Sequence, residues 1–480
     1  MRLRALAKNT LVYAVGNAGL RAGAFLLIPL YTHALSMRDY GMLATLLLTM
    51  QILGILMGMG ARTAFMRFCA EFSQREQLGR LLGSAYVVVL TGGAVVTVVA
   101  MTLLRPLFAA VLHTGDPRFY VLLTCLAALA QTLWLLTVSY FRATNRGGMF
   151  VALNAAAFAF LIVTTVGLVL WLNLGVAGVL GAYLLSYGLT WLVVSGLIAA
   201  RTGLGVNQEA INKVAKFGFP LIFSMSGDVA VDTSALYAMS LFSGLDHVAI
   251  YSLGYKIAQI VIVTLILPFQ LAYEPVAYGT PDSPALRRFI AEALIHLLLA
   301  FGIVAVGIVF VFKDLMRVVA PAQYAPAYGV VFALLPGVAC MGIHYVGESL
   351  LFIPGKTGMS AFVVSGVAAV SVLLNFALIR PWGVYGAALV YDLAHLAMGA
   401  LLLGLGMKQY RIELDWRRFG FSLALPIAGL AAIWWLRSLP GELFYPMVLG
   451  LSAAALMAAH RLGLVDLRSV RRRGLAEHAA

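Results

Sequence analysis

The sequence is short of charge. Asp, Glu, Lys and Arg make up only 11% of its 480 residues, against 62% hydrophobic. Soluble domains carry about 25% charged residues, so a water-soluble globular chain is excluded. A mean hydropathy of +0.95 agrees. Acidic residues are the scarcest, 19 against 33 basic, which leaves a net charge of +14. Cysteines number three, Cys69, Cys125 and Cys340, in or beside apolar segments and without metal-type spacing. They read as core residues, neither a disulfide framework nor a metal site. No GxSxG, HExxH, P-loop, GxGxxG or CxxC occurs in a usable context, so enzymatic or directly nucleotide-driven chemistry has no motif behind it. Nor does any connection exceed about 18 residues, which weighs against a membrane glycosyltransferase or polysaccharide polymerase with an acceptor-shaping loop.

Long apolar runs are what the chain does have. A bilayer core of about 30 Å asks for about 20 apolar residues per helix. Fourteen segments meet this: 10–33, 39–61, 81–104, 119–141, 149–172, 175–200, 217–242, 247–272, 289–312, 327–353, 358–379, 383–406, 419–436 and 443–460. Backbone polar groups in lipid must pair within the segment, so these are helices, and the chain is an all-α polytopic membrane protein. The basic start, MRLRALAK, has no small-residue cleavage site after it and reads as the flank of an uncleaved first span. One set of connections, with both termini, holds 24 of the basic residues and the alternate set holds 7. The positive-inside rule then predicts cytoplasmic N- and C-termini and an even number of helices. The net charge is thus a record of topology. No aromatic–basic alternation of a nucleic-acid module accompanies it, so nucleic acid is not a predicted partner.

The chain repeats. ALSMRDYGMLATL (34–46) aligns with LFSGLDHVAIYSL (241–253) at an offset of 207, and GVAGVLGAY (175–183) with GVYGAALVY (383–391) at 208. Two independent stretches with nearly one offset predict a tandem duplication of a six-helix unit, both copies in the same orientation. The predicted bundles are 1–205 and 206–410, followed over 411–480 by two additional helices and a basic tail.

Two basic residues remain inside spans, Arg21 and Lys256, and with them several buried polar groups. The seventh segment carries Asp228 and Asp232 at i, i+4, hence on one face. A charge at mid-bilayer costs about 2.5–3.5 kcal/mol on insertion scales, so the pair predicts a polar cavity or a helix-locking ion pair. Arg21 falls opposite Asp228 at the repeat offset. At 1.5 Å per residue Asp228 lies about 17 Å from one membrane face and Lys256 about 14 Å from the other, so the two can pair at mid-membrane. Asp392 with His395 (i, i+3) and Glu348 with His344 (i, i+4) each share a helix face, either as functional groups or as interhelical locks. His296 stands alone and reads as a core histidine, and Asn375 as an interhelical hydrogen-bonding residue. Arg62 and Arg67 flank the second segment, where arginines also serve as snorkelling anchors. Pro29, Pro220, Pro268 and Pro336 predict kinks.

LIPLYTHALSMRDYG (27–41), with FRATNRGGMF (141–150) and GVAGVLGAY (175–183), resembles the polysaccharide/oligosaccharide flippases of the multidrug/oligosaccharidyl-lipid/polysaccharide exporter superfamily. The resemblance implies two pseudo-symmetric six-helix bundles facing across a cleft that opens alternately to cytoplasm and periplasm. It implies a transporter of the bacterial inner membrane whose substrate is a polyprenyl-diphosphate-linked oligosaccharide, an O-antigen, capsule or exopolysaccharide unit. In that role Arg21 would pair with the diphosphate, Arg62 and Arg67 would collect the headgroup at the cytoplasmic mouth, and Arg142 and Arg146 would assist. Asp228 and Asp232, with Lys256, would serve coupling or gating. No resident cofactor is implied, but a sodium or proton gradient is. In the related peptidoglycan-precursor flippases a sodium site joins helices 7, 11 and 12, which Asp232, Asn375 and Asp392 match by helix number only; protonation of Asp228 or Asp392 is equally open. Implied partners are membrane lipids, a polysaccharide polymerase and glycosyltransferases. A multidrug or toxin exporter of the same fold, a peptidoglycan lipid-precursor flippase and a scaffold for a synthase complex stay open as alternatives.

Overall fold

The computed structural model describes residues 25–71, 74–144, 146–437 and 440–461. Among these every regular element is helical. In chain order they are α1 (Leu27–Ala34), α2 (Met37–Gly58), α3 (Ala61–Phe68), α4 (Arg75–Thr102), α5 (Arg105–Val111), α6 (Arg118–Ala143), α7 (Gly147–Val166), α8 (Gly175–Thr202) and α9 (Gln208–Ser243). There follow α10 (Leu245–Val261), α11 (Leu267–Gly279), α12 (Pro284–Val319), α13 (Ala327–Phe352), α14 (Thr357–Gln409), α15 (Trp416–Leu436) and α16 (Gly441–Arg461). Ten helical stretches among the described residues are long and apolar enough to cross a membrane. The difference from fourteen has a partial cause in the chain. The first segment is described only from residue 25, and the eleventh and twelfth are run together in α14, whose 53 residues are broken at Gly383 (φ 55°, ψ −130°).

That glycine carries the repeat. Gly175 and Gly383, equivalent at an offset of 208, both open a helix with left-handed φ, 53° and 55°. Only glycine adopts such angles at little cost. The other repeated stretch also marks helix starts, with Asp39 in the first turn of α2 and Asp246 in the first turn of α10. Acidic groups there face the positive end of the helix dipole. Ser36 caps α2, its Oγ accepting the Asp39 N–H at 3.1 Å.

The contacts divide the chain into two compact units. The first comprises residues 1–253, 319–324 and 368–387, and the second the remainder. In the first, α6 is central and packs on α2, α4 and α8. Lipid tails are as apolar as leucine, so burial of apolar surface does not drive this association; close packing and interhelical hydrogen bonds do. Hydroxyl pairs supply the bonds: Tyr86 with Thr137 (2.6 Å), Thr164 with Ser186 (2.7 Å) and Thr49 with Tyr237 (2.6 Å). Leu82, Val89, Leu133, Trp134 and Leu136 are buried among these helices. Helix α9, which contains the seventh predicted segment, packs in this unit, on α4, α2 and α3.

In the second unit α13 and the part of α14 after Gly383 lie side by side and parallel: Gly337 meets Asp392, and Gly347 meets Leu403. Helix α15 is tied to α12 by Arg418 and Glu292, 2.6 Å apart. The approach to α15 buries Tyr410, Ile412 and Leu414 against Leu294 and Leu298 of α12.

Candidate functional site

Helix α3 is only eight residues long, and its placement is fixed by glycine. Met59 (φ 43°) and Gly60 (φ 63°) turn the chain out of α2. A Cβ on Gly60 would come within 2.6 Å of the Gly218 carbonyl, and one on Gly218 would overlap the Met59 carbonyl. Backbones touch here. Phe68 of α3 also meets Phe217 of α9 edge to face at 5.5 Å.

This anchored turn presents Arg62 and Arg67, both exposed, beside the end of α6, where Arg142 is exposed too. Arg62 and Arg142 are brought together. Desolvation by the surrounding protein, and then the like charge of Arg142, lower the Arg62 pKa from the ordinary arginine value. Arginine keeps its charge, so like charges at this helix end favour the approach of an anion. The Arg142 guanidinium lies 5.6 Å from the centre of the Phe150 ring, a cation–π contact. Arg67 ends α3 and Arg146 precedes α7, both exposed. Among the described residues Arg62, Arg67 and Arg146 form no ion pair.

Arg21 lies outside the described residues. Asp228 and Asp232 lie in α9, but their side chains are likewise outside what is described, as is any pairing with Lys256. Lys256 itself is half-buried on α10. Close to Asp232 in sequence, Ser234 accepts a hydrogen bond from Asn375 Nδ2 at 2.9 Å, and Asn375 is 1% exposed. The eleventh and seventh predicted segments therefore meet in the stretch of α9 that carries Asp232. Further along α9, Ser240 donates to the Val111 carbonyl, and His113 Nε2 donates to the Ser240 carbonyl at 2.6 Å, holding His113 at φ 51°.

Asp392 belongs to the second unit. Its Oδ1 accepts the Gly337 N–H at 2.7 Å, one residue past Pro336 in α13. In a helix interrupted by proline, a side chain of this kind pairs a backbone group that lipid cannot. His395 Nδ1 donates to the Tyr391 carbonyl at 2.9 Å, and Tyr391 meets Tyr255, the neighbour of Lys256, at 5.8 Å. On α13, Glu348 Oε1 accepts from Ser360 Oγ at 2.6 Å, and its Oε2 lies 3.9 Å from His344 Nε2. His296 is hydrogen-bonded to the Glu292 carbonyl at 2.7 Å, but is exposed and not a core residue. No cluster of three or more metal-ligating side chains occurs among the described residues. The partners missed in the sequence are neutral: Thr49, Ser234, Tyr237 and Ser360. The only sign of them was hydroxyls recurring within apolar spans.

Residues 6–277 match the family model described as "Polysaccharide biosynthesis protein". The chain belongs to this family. No curated protein matches the sequence. Among solved structures, a lipid II flippase MurJ in an inward closed conformation aligns over 94% of this chain and 98% of its own, with TM-score 0.72 and 13% identity. An inward-facing multidrug resistance MATE transporter of the MOP superfamily aligns over 83% and 94%, with TM-score 0.66 and 14% identity. A MOP superfamily transporter from Pyrococcus furiosus aligns over 84% and 95%, at 0.59 and 13%. At such identities these likenesses establish the fold: this polysaccharide biosynthesis family member has a MurJ- and MATE-like helical fold and is a multi-pass membrane protein.

Proposed function

We propose that the chain is a flippase that moves a polyprenyl-diphosphate-linked oligosaccharide from the cytoplasmic to the periplasmic leaflet of a bacterial inner membrane by alternating access. The observation that carries this reading is the group of exposed arginines at neighbouring helix ends, Arg62 and Arg67 on α3, Arg142 at the end of α6 and Arg146 before α7, with Arg142 close enough to Arg62 to act on its charge. Planar guanidinium forks match diphosphate oxygens bidentately, and two of them answer a charge of that size. Arg21 is assigned to the diphosphate deeper along the path. Asp228, Asp232, Lys256, Asn375 and Asp392 are assigned to coupling or gating, driven by a sodium or proton gradient. A multidrug exporter would favour an acidic mouth for cationic cargo, which the arginines oppose.

Fourteen spans with both termini cytoplasmic remain the proposed topology. Its support lies in the basic residues and in tryptophan: Trp171, Trp382 and Trp435 end three spans assigned to the same membrane face, and each is exposed. Indole rings gather at the membrane–water interface. Depleting the protein tests the function. Lipid-linked glycan should accumulate in the inner leaflet, with the polymerase and glycosyltransferases of the same glycan still active. Normal export under depletion would overturn the proposal, and loss of peptidoglycan synthesis instead would redirect it to the peptidoglycan precursor.

A further inference from the structure

The second unit holds a polar cluster to which the substrate path assigns no role. His344 is 6% exposed, and its Nδ1 has no hydrogen-bond partner among the described residues. Its Nε2 lies 3.9 Å from Glu348 Oε2, beyond hydrogen-bond length. Buried polar atoms are almost always paired, so an imidazole left in this way calls for an explanation. Glu348 is held on its other oxygen by Ser360, 2.6 Å away. One turn after Glu348 and one turn before Ser360 opens a pocket of about 520 Å³, lined by Ala277, Tyr278, Thr280, Phe352, Ile353 and Thr357. The pair is therefore buried on one side and close to an opening on the other.

The titratable groups around it come from each packed element. From α11 come Glu274 and Tyr278, the latter interacting electrostatically with both Glu274 and Glu348. From the later part of α14 comes His395, which interacts with His344. Helix α12 presents apolar side chains, among them Leu294 and Leu298. Two side chains are too few for a metal, and no larger ligating group occurs among the described residues.

We infer that His344 and Glu348 form a proton-exchange site of the transport cycle, opening through the pocket beside Tyr278 and Phe352 at the end of the unit that carries Lys356. In the exchange, the protonated Glu348 carboxyl turns about its terminal torsion toward Nε2. Its O–H bond breaks as an N–H bond forms, leaving a carboxylate and an imidazolium. Return of that proton to Glu348 reverses the step, and loss of the carboxyl proton to water in the pocket completes the exchange. The Ser360 hydroxyl stabilises the carboxylate and sets its orientation. The purpose of the exchange rests on the transport reading above; the proton site itself does not.

Infrared difference spectroscopy of the full-length protein in liposomes, stepped in pH without any saccharide, tests it. A carboxylic C=O band and imidazole bands should change together on acidification. Glu348→Gln should lose the C=O band, and His344→Gln the imidazole bands. Ser360→Ala removes the hydrogen bond to Glu348 Oε1 while leaving both titrating side chains in the chain, and should move the C=O band to higher wavenumber. Replacing choline by sodium at fixed pH should leave the bands that Glu348→Gln and His344→Gln remove unchanged. A Glu348→Gln spectrum identical to wild type overturns the inference, and so does a sodium-induced change in the Glu348 and His344 bands that mimics acidification. Should Glu348→Gln fail to fold, the Ser360→Ala band decides alone, and an unmoved band is a refutation. Because no saccharide is present, failure of the flippase reading would leave these bands intact, and their absence would leave that reading standing.

Discussion

Asp392→Ala separates the structural role of the Asp392 carboxylate from the coupling role proposed for it. In the native protein Oδ1 accepts the Gly337 N–H at 2.7 Å, and a Cβ on Gly337 would come within 2.6 Å of the same oxygen. A hydrogen bond to a charged group is worth about 1.5–3 kcal/mol net in water-soluble proteins. In membranes the measured interhelical bonds average about 0.6 and reach about 1.7 kcal/mol, because the unfolded chain in lipid also finds partners. Alanine should therefore cost about 1–2 kcal/mol, leaving Gly337 without its acceptor next to Pro336. Asparagine keeps an acceptor oxygen in place and should cost less than about 1 kcal/mol. Thermal unfolding of the purified protein in detergent, followed by tryptophan fluorescence, reads the first effect, and glycan export in cells reads the second. Alanine should lower both stability and export. Asparagine should retain stability while losing export if the charge takes part in coupling. An alanine variant as stable as wild type, or an asparagine variant as unstable as alanine, would refute the hydrogen-bond account.

Three further outcomes follow from the geometry. Arg62→Ala and Arg142→Ala should each reduce export at least tenfold, corresponding to loss of about 1.4 kcal/mol or more of charge-assisted contact, with Arg62→Lys intermediate because lysine lacks the bidentate fork; a radiolabelled glycan export assay reads this. Gly218→Val should push α9 away from the Met59 carbonyl and lower the yield of folded protein on size-exclusion chromatography, whereas the open-space variant Gly366→Ala should not. Outside the spans, Arg287 and then Tyr410 hydrogen-bond to Asp282 and hold its carboxyl down at about 2. Its stabilising contribution is present above the unfolded carboxylate value near 4 and is lost as pH falls through about 2. Between pH 4 and 2 the wild type should lose thermal stability faster than Asp282→Asn, a difference visible in parallel melting curves.

Much of the helical architecture was legible, because hydropathy marks the bilayer. Where helices begin and end was not, because helices continue past the apolar layer. The window opening at 217 belongs to a helix that starts at Gln208, where Asn207 caps it by accepting the Glu209 N–H. The window opening at 81 belongs to α4, which starts at Arg75. The eight-residue α3 was missed because its polar arginines and short length hide it from any span search, although it carries Arg62 and Arg67. At the site, the acidic and amide residues stood out by their cost in lipid. Their partners did not, since Ser234, Ser360 and the Gly337 N–H are neutral and cheap, and pairing across helices is fixed by packing. The repeat was visible through GVAG and GVYG because both glycines must adopt left-handed φ.

Transfer between leaflets is the most direct measurement. The purified protein, reconstituted in liposomes that carry a fluorescent polyprenyl-diphosphate oligosaccharide in one leaflet, should expose the glycan to an impermeant lectin or glycosidase on the other side. Arg62→Ala/Arg142→Ala liposomes should match protein-free ones. Equal exposure with and without the wild-type protein would contradict the account.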